Sequence, residues 1–232
     1  MSPFGRHAVT GDDLIPACAG DDGSSTRDGF HHERLLLAQG YRRVAGADEA
    51  GRGPLAGPVV AACVVLPAAC DYAIFRDSKT LSPARRAELC RQLTAIGAHI
   101  GVGIVSAATI DAINILKASL EAMRLAYEDL LDRRHDHPPE FVLVDGRFTF
   151  PAAVPQEALV KGDARSASIA AASIVAKVKR DAIMEELHRR FPVYGFARHK
   201  GYPTREHRTA IARHGPCPEH RRTFRGVREF VR

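Results

Sequence analysis

The sequence predicts an α/β domain built round a mixed sheet, with a small basic C-terminal part. Three observations lead there. Tyr41–Asp48 and Pro58–Leu66 are short apolar runs divided by a Gly/Pro-rich segment, a strand–turn–strand signal. A third strand follows after a helical stretch, and then the pattern reads helix, strand, strand, helix. No internal repeat and no mid-chain linker interrupts this order, and 232 residues suit one domain of roughly 150–200 residues with something attached.

Taken in order, residues 1–32 are rich in Gly, Asp, Ser and charge without apolar period, and read as a flexible extension. His31–Gln39 reads as a short helix at its edge. Pro58–Leu66 is nearly continuous in Val and Ala, as a strand buried on both faces requires. Asp77–Pro83 is a loop, and Ser82 before Pro83 starts a helix that runs to about Ile96. Ala98–Val105 is the third strand. Ile110, Ile113, Leu116, Leu120, Met123 and Ala126 recur at helical spacing, so Ser106–Leu131 reads as one amphipathic helix. Phe141–Val144 is a short buried strand ending on Asp145-Gly146, and Ala158–Val160 another. Ser166–Arg190 is a long Ala-rich helix, and Thr204–His214 the last. The divisions are therefore 1–32, 33–192 and 193–232.

Composition narrows the class. No apolar run approaches the ~18 residues that span a bilayer, and the N-terminus lacks the pattern of a secretory signal. Five cysteines, an odd number without CxxC spacing, suit thiols in a reducing cytoplasm rather than disulfides or zinc. With no apolar stripe left unexplained, a monomer is expected. The net charge of +6 is uneven: Arg198–Arg232 carries ten Arg or Lys against three Glu, a local +7. With Gly-Tyr-Pro, Phe224 and Phe230 inside it, this block reads as a phosphate-binding surface, although such blocks also serve as plain solvated faces.

Candidate chemistry centres on Val44–Val60, VAGADEAGRGPLAGPVV. Asp48 and Glu49 end an apolar run and precede Gly51-Arg52-Gly53, where a bare backbone can touch a ligand. Asp145 ends another strand, and strand ends are where ligands gather in open α/β sheets. Asp181 shares a helix face with Ser173 and Lys177. Each has an ordinary reading too: Asp145 before Gly146 suits a turn, and Asp181 beside Arg180 a surface ion pair. Adjacent strand residues point to opposite faces, so Asp48 and Glu49 meet in one site only if the strand breaks at Glu49. Four converging carboxylates need cations between them, which points to two divalent ions and phosphodiester cleavage. A nucleotide-binding loop is the weaker alternative, because AGRGPLAG lacks both GK[ST] and GxGxxG.

At these residues the chain resembles the ribonuclease HII family. The segments are AGADEAGRGPLAGPVVAA (Ala45–Ala62), DSKTLS (Asp77–Ser82), NILKASLEAM (Asn114–Met123), VLVDG (Val142–Gly146), KGDARSASIAAASIVAKVKRD (Lys161–Asp181) and YGFARHKGYPTREH (Tyr194–His207). The resemblance implies a ribonuclease H-like fold, a five-stranded mixed sheet flanked by helices with a small helical C-terminal part, in which 33–192 is the catalytic domain. It implies that Asp48, Glu49, Asp145 and Asp181 hold two Mg²⁺ or Mn²⁺ ions. It further implies cleavage 5′ to a ribonucleotide in RNA–DNA hybrids or duplex DNA, with Gly51-Arg52-Gly53 sensing the 2′-hydroxyl and Tyr202 stacking on the next sugar. Without the resemblance Tyr202 reads equally as a half-buried aromatic, and Tyr194 is its alternative. Lys79, Lys161, Lys177, Lys200 and Arg52 are candidate phosphate contacts, and Ser168 and Ser173 either touch the nucleic-acid backbone or pack small. The Gly-Arg-Gly and the fourth acid separate the chain from type 3 relatives. Its C-terminus, HRRTFRGVREFVR, carries no glutamine-led hydrophobic box of the sliding-clamp kind.

Overall fold

A central strand, β1 (Val44–Ala50), pairs antiparallel with β2 (Val59–Val65) on one side and parallel with β4 (Phe141–Asp145) on the other. With β3 (His99–Val105) and β5 (Gln156–Leu159) it forms a five-stranded mixed sheet of order β3-β2-β1-β4-β5. This computed structural model describes residues 29–67, 70–75, 81–133 and 136–231; most of the expected extension, residues 1–28, and Lys79 lie outside the described residues. Every residue of β2 is buried, as its unbroken Val/Ala run requires.

The two faces of the sheet are covered by different helices, and glycines decide how closely. Ala45, Ala47, Ala61 and Cys63 face α4 (Ile115–Arg133), through Ala118, Ala122, Met123 and Leu130. A Cβ on Gly101 would lie 2.1 Å from the Ala126 carbonyl, and one on Gly103 2.0 Å from that of Ala122, so α4 rests directly on β3. Ala62 and Val64 face α5 (Ala167–Arg190) and α2 (Pro83–Ala95) through Ala170, Ala171, Ile174, Leu89 and Leu93. On that side Gly46 does the same service: its Cβ would sit 2.1 Å from the Ser168 carbonyl carbon. The Ala-rich helix therefore lies against β1 backbone to backbone, two residues before Asp48.

Helix α1 (His31–Ala38) is tied into this core rather than trailing from it. Glu33 is 1% exposed, and its Oε1 accepts from Ser166 Oγ at 2.5 Å and Ser168 N–H at 2.9 Å, at the start of α5. Phe30 stacks on Tyr72 with ring centroids 3.5 Å apart. A boundary at residue 32 thus cuts through α1, and the packed fold begins at least at Phe30.

Two element assignments change. The helix expected over Ser106–Leu131 is broken at Asn114, which has φ 69° and separates α3 (Ala107–Ile113) from α4. Asn tolerates the left-handed region, and its Oδ1 accepts the Lys117 N–H at 3.1 Å, so it ends one helix and caps the next. The last sheet strand begins at Gln156, two residues before the expected Ala158. Beyond α5, α6 (Phe196–His199) and α7 (Arg205–His214) pack Phe196, Ala210 and Ile211 with Leu55, Ala56, Met184 and Val227. This small third cluster joins the C-terminal part to the loop that follows β1.

Candidate active site

The acids meet where β1 outruns its neighbour. The parallel ladder between β1 and β4 ends at Ala47↔Val144, so the next positions along the two strands are Asp48 and Asp145. The strand does not break at Glu49 as expected. Its antiparallel ladder with β2 continues through Glu49↔Ala61 to Ala50↔Val60, and the opening comes from the end of the β4 pairing. Asp48 points to the α5 side, where the Ser173 hydroxyl favours its charged form, and its Oδ1 accepts the Glu49 N–H at 2.7 Å. Asp145 is held from the turn that follows β5, with Oδ1 accepting the Gly162 N–H at 2.6 Å.

Electrostatically Asp145 acts on both Asp48 and Glu49. Burial pushes the Asp48 carboxyl well above the usual carboxylate range, and the charges of Glu49 and Asp145 push the same way. Glu49 is raised chiefly by burial and also by Asp145, against the opposing pull of Arg52, whose Nη1 lies 3.2 Å from Oε1. Asp181 is not among the leading influences on either. It pairs with Lys177 on its own helix face at 2.5 Å. Among the described residues no three His, Cys, Asp or Glu side chains are closed to metal-binding spacing; the charges reach one another at longer range. The donor set nevertheless fits a hard divalent cation: carboxylate oxygens only, with Asp48 buried and Glu49 and Asp145 half-buried beside it.

Beside the acids lies a cleft of about 350 Å³ lined by Glu49, Gly51, Arg52, Gly53, Arg86, Ser173, Lys177, Arg180 and Tyr202. Tyr202 is 44% exposed, and its ring edge lies 3.5 Å from where a Gly53 Cβ would be. A methyl at position 53 would make ordinary van der Waals contact with that ring. Gly51 has φ 102°, and any Cβ there would strike Arg180 Nε at 2.1 Å. The ordinary reading of Asp181 beside Arg180 as a surface ion pair does not hold for Arg180, which is 1% exposed and donates to three carbonyls. Nε reaches Pro58 at 3.0 Å, Nη1 Lys200 at 3.0 Å and Nη2 Ala56 at 3.1 Å.

The other expected contacts divide. Gly51, Arg52, Gly53, Tyr202, Ser173 and Lys177 share the cleft. Lys161 is exposed in a left-handed conformation, immediately before the Gly162 that holds Asp145. Lys200 is paired with Glu185 and donates to the Ala197 carbonyl at 2.7 Å. Ser168 is 1% exposed beneath Glu33 and is corrected to an interior residue. Tyr194 is also corrected: it is buried, with its hydroxyl donating to the Gly215 carbonyl at 2.8 Å. Sequence reasoning missed Arg86 and Arg221, the latter completely buried against the same loop. A lone basic residue in a basic stretch carries no local sign of such a destination.

A five-stranded mixed sheet with carboxylates converging beyond β1 and β4 defines a nuclease of the ribonuclease H-like class. The structure is similar to that of the ribonuclease H2 from Pyrococcus horikoshii OT3, with a TM-score of 0.66 and 28% identity over 82% of this chain and 97% of that one. It shares its fold with a mutant form of Bst-RNase HIII, at a TM-score of 0.63 and 18% identity, covering 93% of this chain and 77% of that one. The family model for ribonuclease HII matches residues 45–227. Ribonuclease HII of Desulfotalea psychrophila is 55% identical over 94% of this chain and 95% of its own length. That of Syntrophotalea carbinolica is 52% identical over 87% and 94%. The chain belongs to the ribonuclease HII family, and it is a type 2 ribonuclease H.

Proposed function

We propose that the protein hydrolyses the phosphodiester on the 5′ side of a ribonucleotide, in RNA–DNA hybrids and at single ribonucleotides embedded in duplex DNA. The products are a 3′-hydroxyl and a 5′-phosphate, and the cellular task is removal of misincorporated ribonucleotides in the cytoplasm by a monomeric enzyme. The observation that carries this reading is the convergence of Asp48, Glu49 and Asp145 beside a cleft walled by Gly51-Arg52-Gly53 and Tyr202.

Asp48, Glu49, Asp145 and Asp181 would hold two Mg²⁺ or Mn²⁺ ions. When bound, such a pair neutralises the acids, activates water and stabilises the charge that develops on the phosphate. Ser173 favours the charged form of Asp48. Lys177 lies one helical turn before Asp181, on the face that borders the cleft. The 2′-hydroxyl is the group that separates RNA from DNA at a given position, and bare glycine backbone can approach it closely. Tyr202 offers its exposed ring to the sugar of the following deoxynucleotide. Arg52, Lys161 and Lys200, with Lys79, supply positive charge for the phosphates.

The test is incubation with a duplex carrying one ribonucleotide, a long RNA–DNA hybrid and a matched all-DNA duplex, with Mg²⁺ and Mn²⁺ in parallel. The first two are cut and the third is not. A protein that spares the single ribonucleotide while binding the duplex contradicts the proposal.

A further inference from the structure

Arg180 and Arg221 are the two largest fully buried side chains, and among the described residues neither is in an ion pair. Burial, foremost, and the Arg180 charge beside it draw the Arg221 guanidinium down to about 9, yet it remains charged at neutral pH. Its donors all go to the main chain of one loop. Nη2 reaches the Gly51 carbonyl at 2.5 Å and the Gly57 carbonyl at 3.0 Å, Nη1 the Arg52 carbonyl at 3.0 Å, and Nε the Gly57 carbonyl at 3.1 Å. A guanidinium is a rigid planar fork, so these bonds set the direction of each carbonyl as well as its place.

Peptide planarity turns that into a statement about donors. Among the described residues no peptide bond is cis, so the C=O of one residue and the N–H of the next point in opposite directions. With the Gly51 carbonyl turned inward to Arg221, the Arg52 N–H faces away from it. With the Arg52 carbonyl turned inward, so does the Gly53 N–H. Among the described residues neither N–H has an acceptor within the protein, and both residues border the cleft.

Arg221 is itself held from outside the site. Asp111 on α3 accepts the Arg222 N–H at 2.7 Å, the Thr223 N–H at 2.9 Å and the Thr223 hydroxyl at 2.6 Å. The Arg221 N–H donates to the Leu55 carbonyl at 2.8 Å. A bracket thus runs from α3 through the C-terminal segment to the loop beside the acids.

We propose that Arg221 is a positioning residue for ribonucleotide discrimination: it turns the Gly51 and Arg52 carbonyls inward and so aims the N–H groups of Arg52 and Gly53 at the ribose, with Asp111 holding it in register. This rests on the reading above that the loop senses the 2′-hydroxyl. Arg221 touches no substrate, and Asp111 lies farther out still.

The experiment compares binding of a duplex with one ribonucleotide and its all-DNA twin, using full-length Asp48→Asn protein with Mg²⁺ so that the substrate stays intact. Into it go Arg221→Lys, which keeps the charge but not the fork, and Asp111→Ala, with thermal unfolding recorded for each. Arg221→Lys is expected to lower the preference for the ribonucleotide by about tenfold, the scale of a lost charge-assisted hydrogen bond, and to leave all-DNA affinity within about twofold. Asp111→Ala is expected to move it the same way by less. If both duplexes weaken together, or the preference survives in both variants, the proposal is wrong. Should Arg221→Lys fail to fold, Asp111→Ala decides alone. A parent protein without any preference overturns this proposal and the loop reading together, whereas a parent with preference isolates the failure to the bracket.

Discussion

At the scale of single residues, the site is a set of charges that the fold places against their own preference. Asp48 and Glu49 have carboxyl groups raised by burial and by Asp145. A folded-state value above the unfolded one means stability is greatest below the unfolded carboxylate range and declines as pH rises through the folded value. At neutral pH the metal-free protein therefore carries a repulsion that neutralising a carboxylate relieves. Asp48→Asn is expected to raise the metal-free melting temperature, by about 2–4 °C for each kcal/mol recovered, and to shrink the rise that Mg²⁺ gives the wild type. Thermal unfolding with and without Mg²⁺ measures both; a lower metal-free melting temperature contradicts the account. In the proposed function Tyr202, the exposed aromatic beside Gly53, bears on substrate choice instead. Tyr202→Ala should cost the single-ribonucleotide substrate on the order of tenfold in kcat/KM, the scale of a lost stacking contact, and a long hybrid less. Equal losses on both, read in parallel assays, would reduce the ring to a structural part.

At the scale of elements, the site depends on how closely α5 lies on β1. Gly46 permits that approach, and Ser173 on the same helix favours the charged form of Asp48. Gly46→Ala puts a Cβ into the Ser168 backbone and is expected to cost about 1–3 kcal/mol or more, with activity falling as Ser173 withdraws. Chemical denaturation and cleavage rate together check it, and a variant as stable and active as the parent would show that the contact relaxes freely. Much of this architecture was legible beforehand. The Val/Ala run of β2, the Ser82-Pro83 start of α2 and the alanines of α5 each carry a local signal, and each element stands near its expected place. Asn114 was not legible, because apolar spacing continues across it and only the left-handed backbone reveals the break. Glu49 was misjudged for a related reason. A strand end is defined by its neighbours, and β1 loses β4 while keeping β2.

At the scale of the molecule, the C-terminal part is an internal support as much as a charged surface. Its excess of basic residues suggested a phosphate-binding surface or a plain solvated face, yet Arg221 is buried in the loop, Arg198 pairs with Glu206 and Lys200 with Glu185. Composition shows where charge is abundant but not which residues turn inward. The same part contains a hydrogen-bonded series of neutral histidines. The Cys217 N–H donates to His220 Nδ1 at 3.0 Å, leaving His220 Nε2 to donate to His207 Nε2 at 3.0 Å, and His207 Nδ1 to the Tyr202 carbonyl at 3.0 Å. Burial, foremost, pulls His207 and His220 down to about 4. The unfolded chain takes up protons near 6.5 while the folded one resists, so this stability is complete above about pH 6.5 and is lost as pH falls toward 4. Equilibrium unfolding between about pH 7 and 4 should show that decline, and a His207→Gln variant a shallower one; a flat wild-type profile would contradict the neutral series. The account joins this support to one claim, that the acids beyond β1 cut and the loop after β1 chooses where. Its most direct test is single-turnover cleavage of a duplex with one ribonucleotide by wild type and Asp48→Asn, with duplex affinity measured on both. The account predicts a cut on the 5′ side of the ribonucleotide by the wild type, and a loss on the order of 10³-fold in the variant with affinity kept or improved; a near wild-type rate in Asp48→Asn would contradict it.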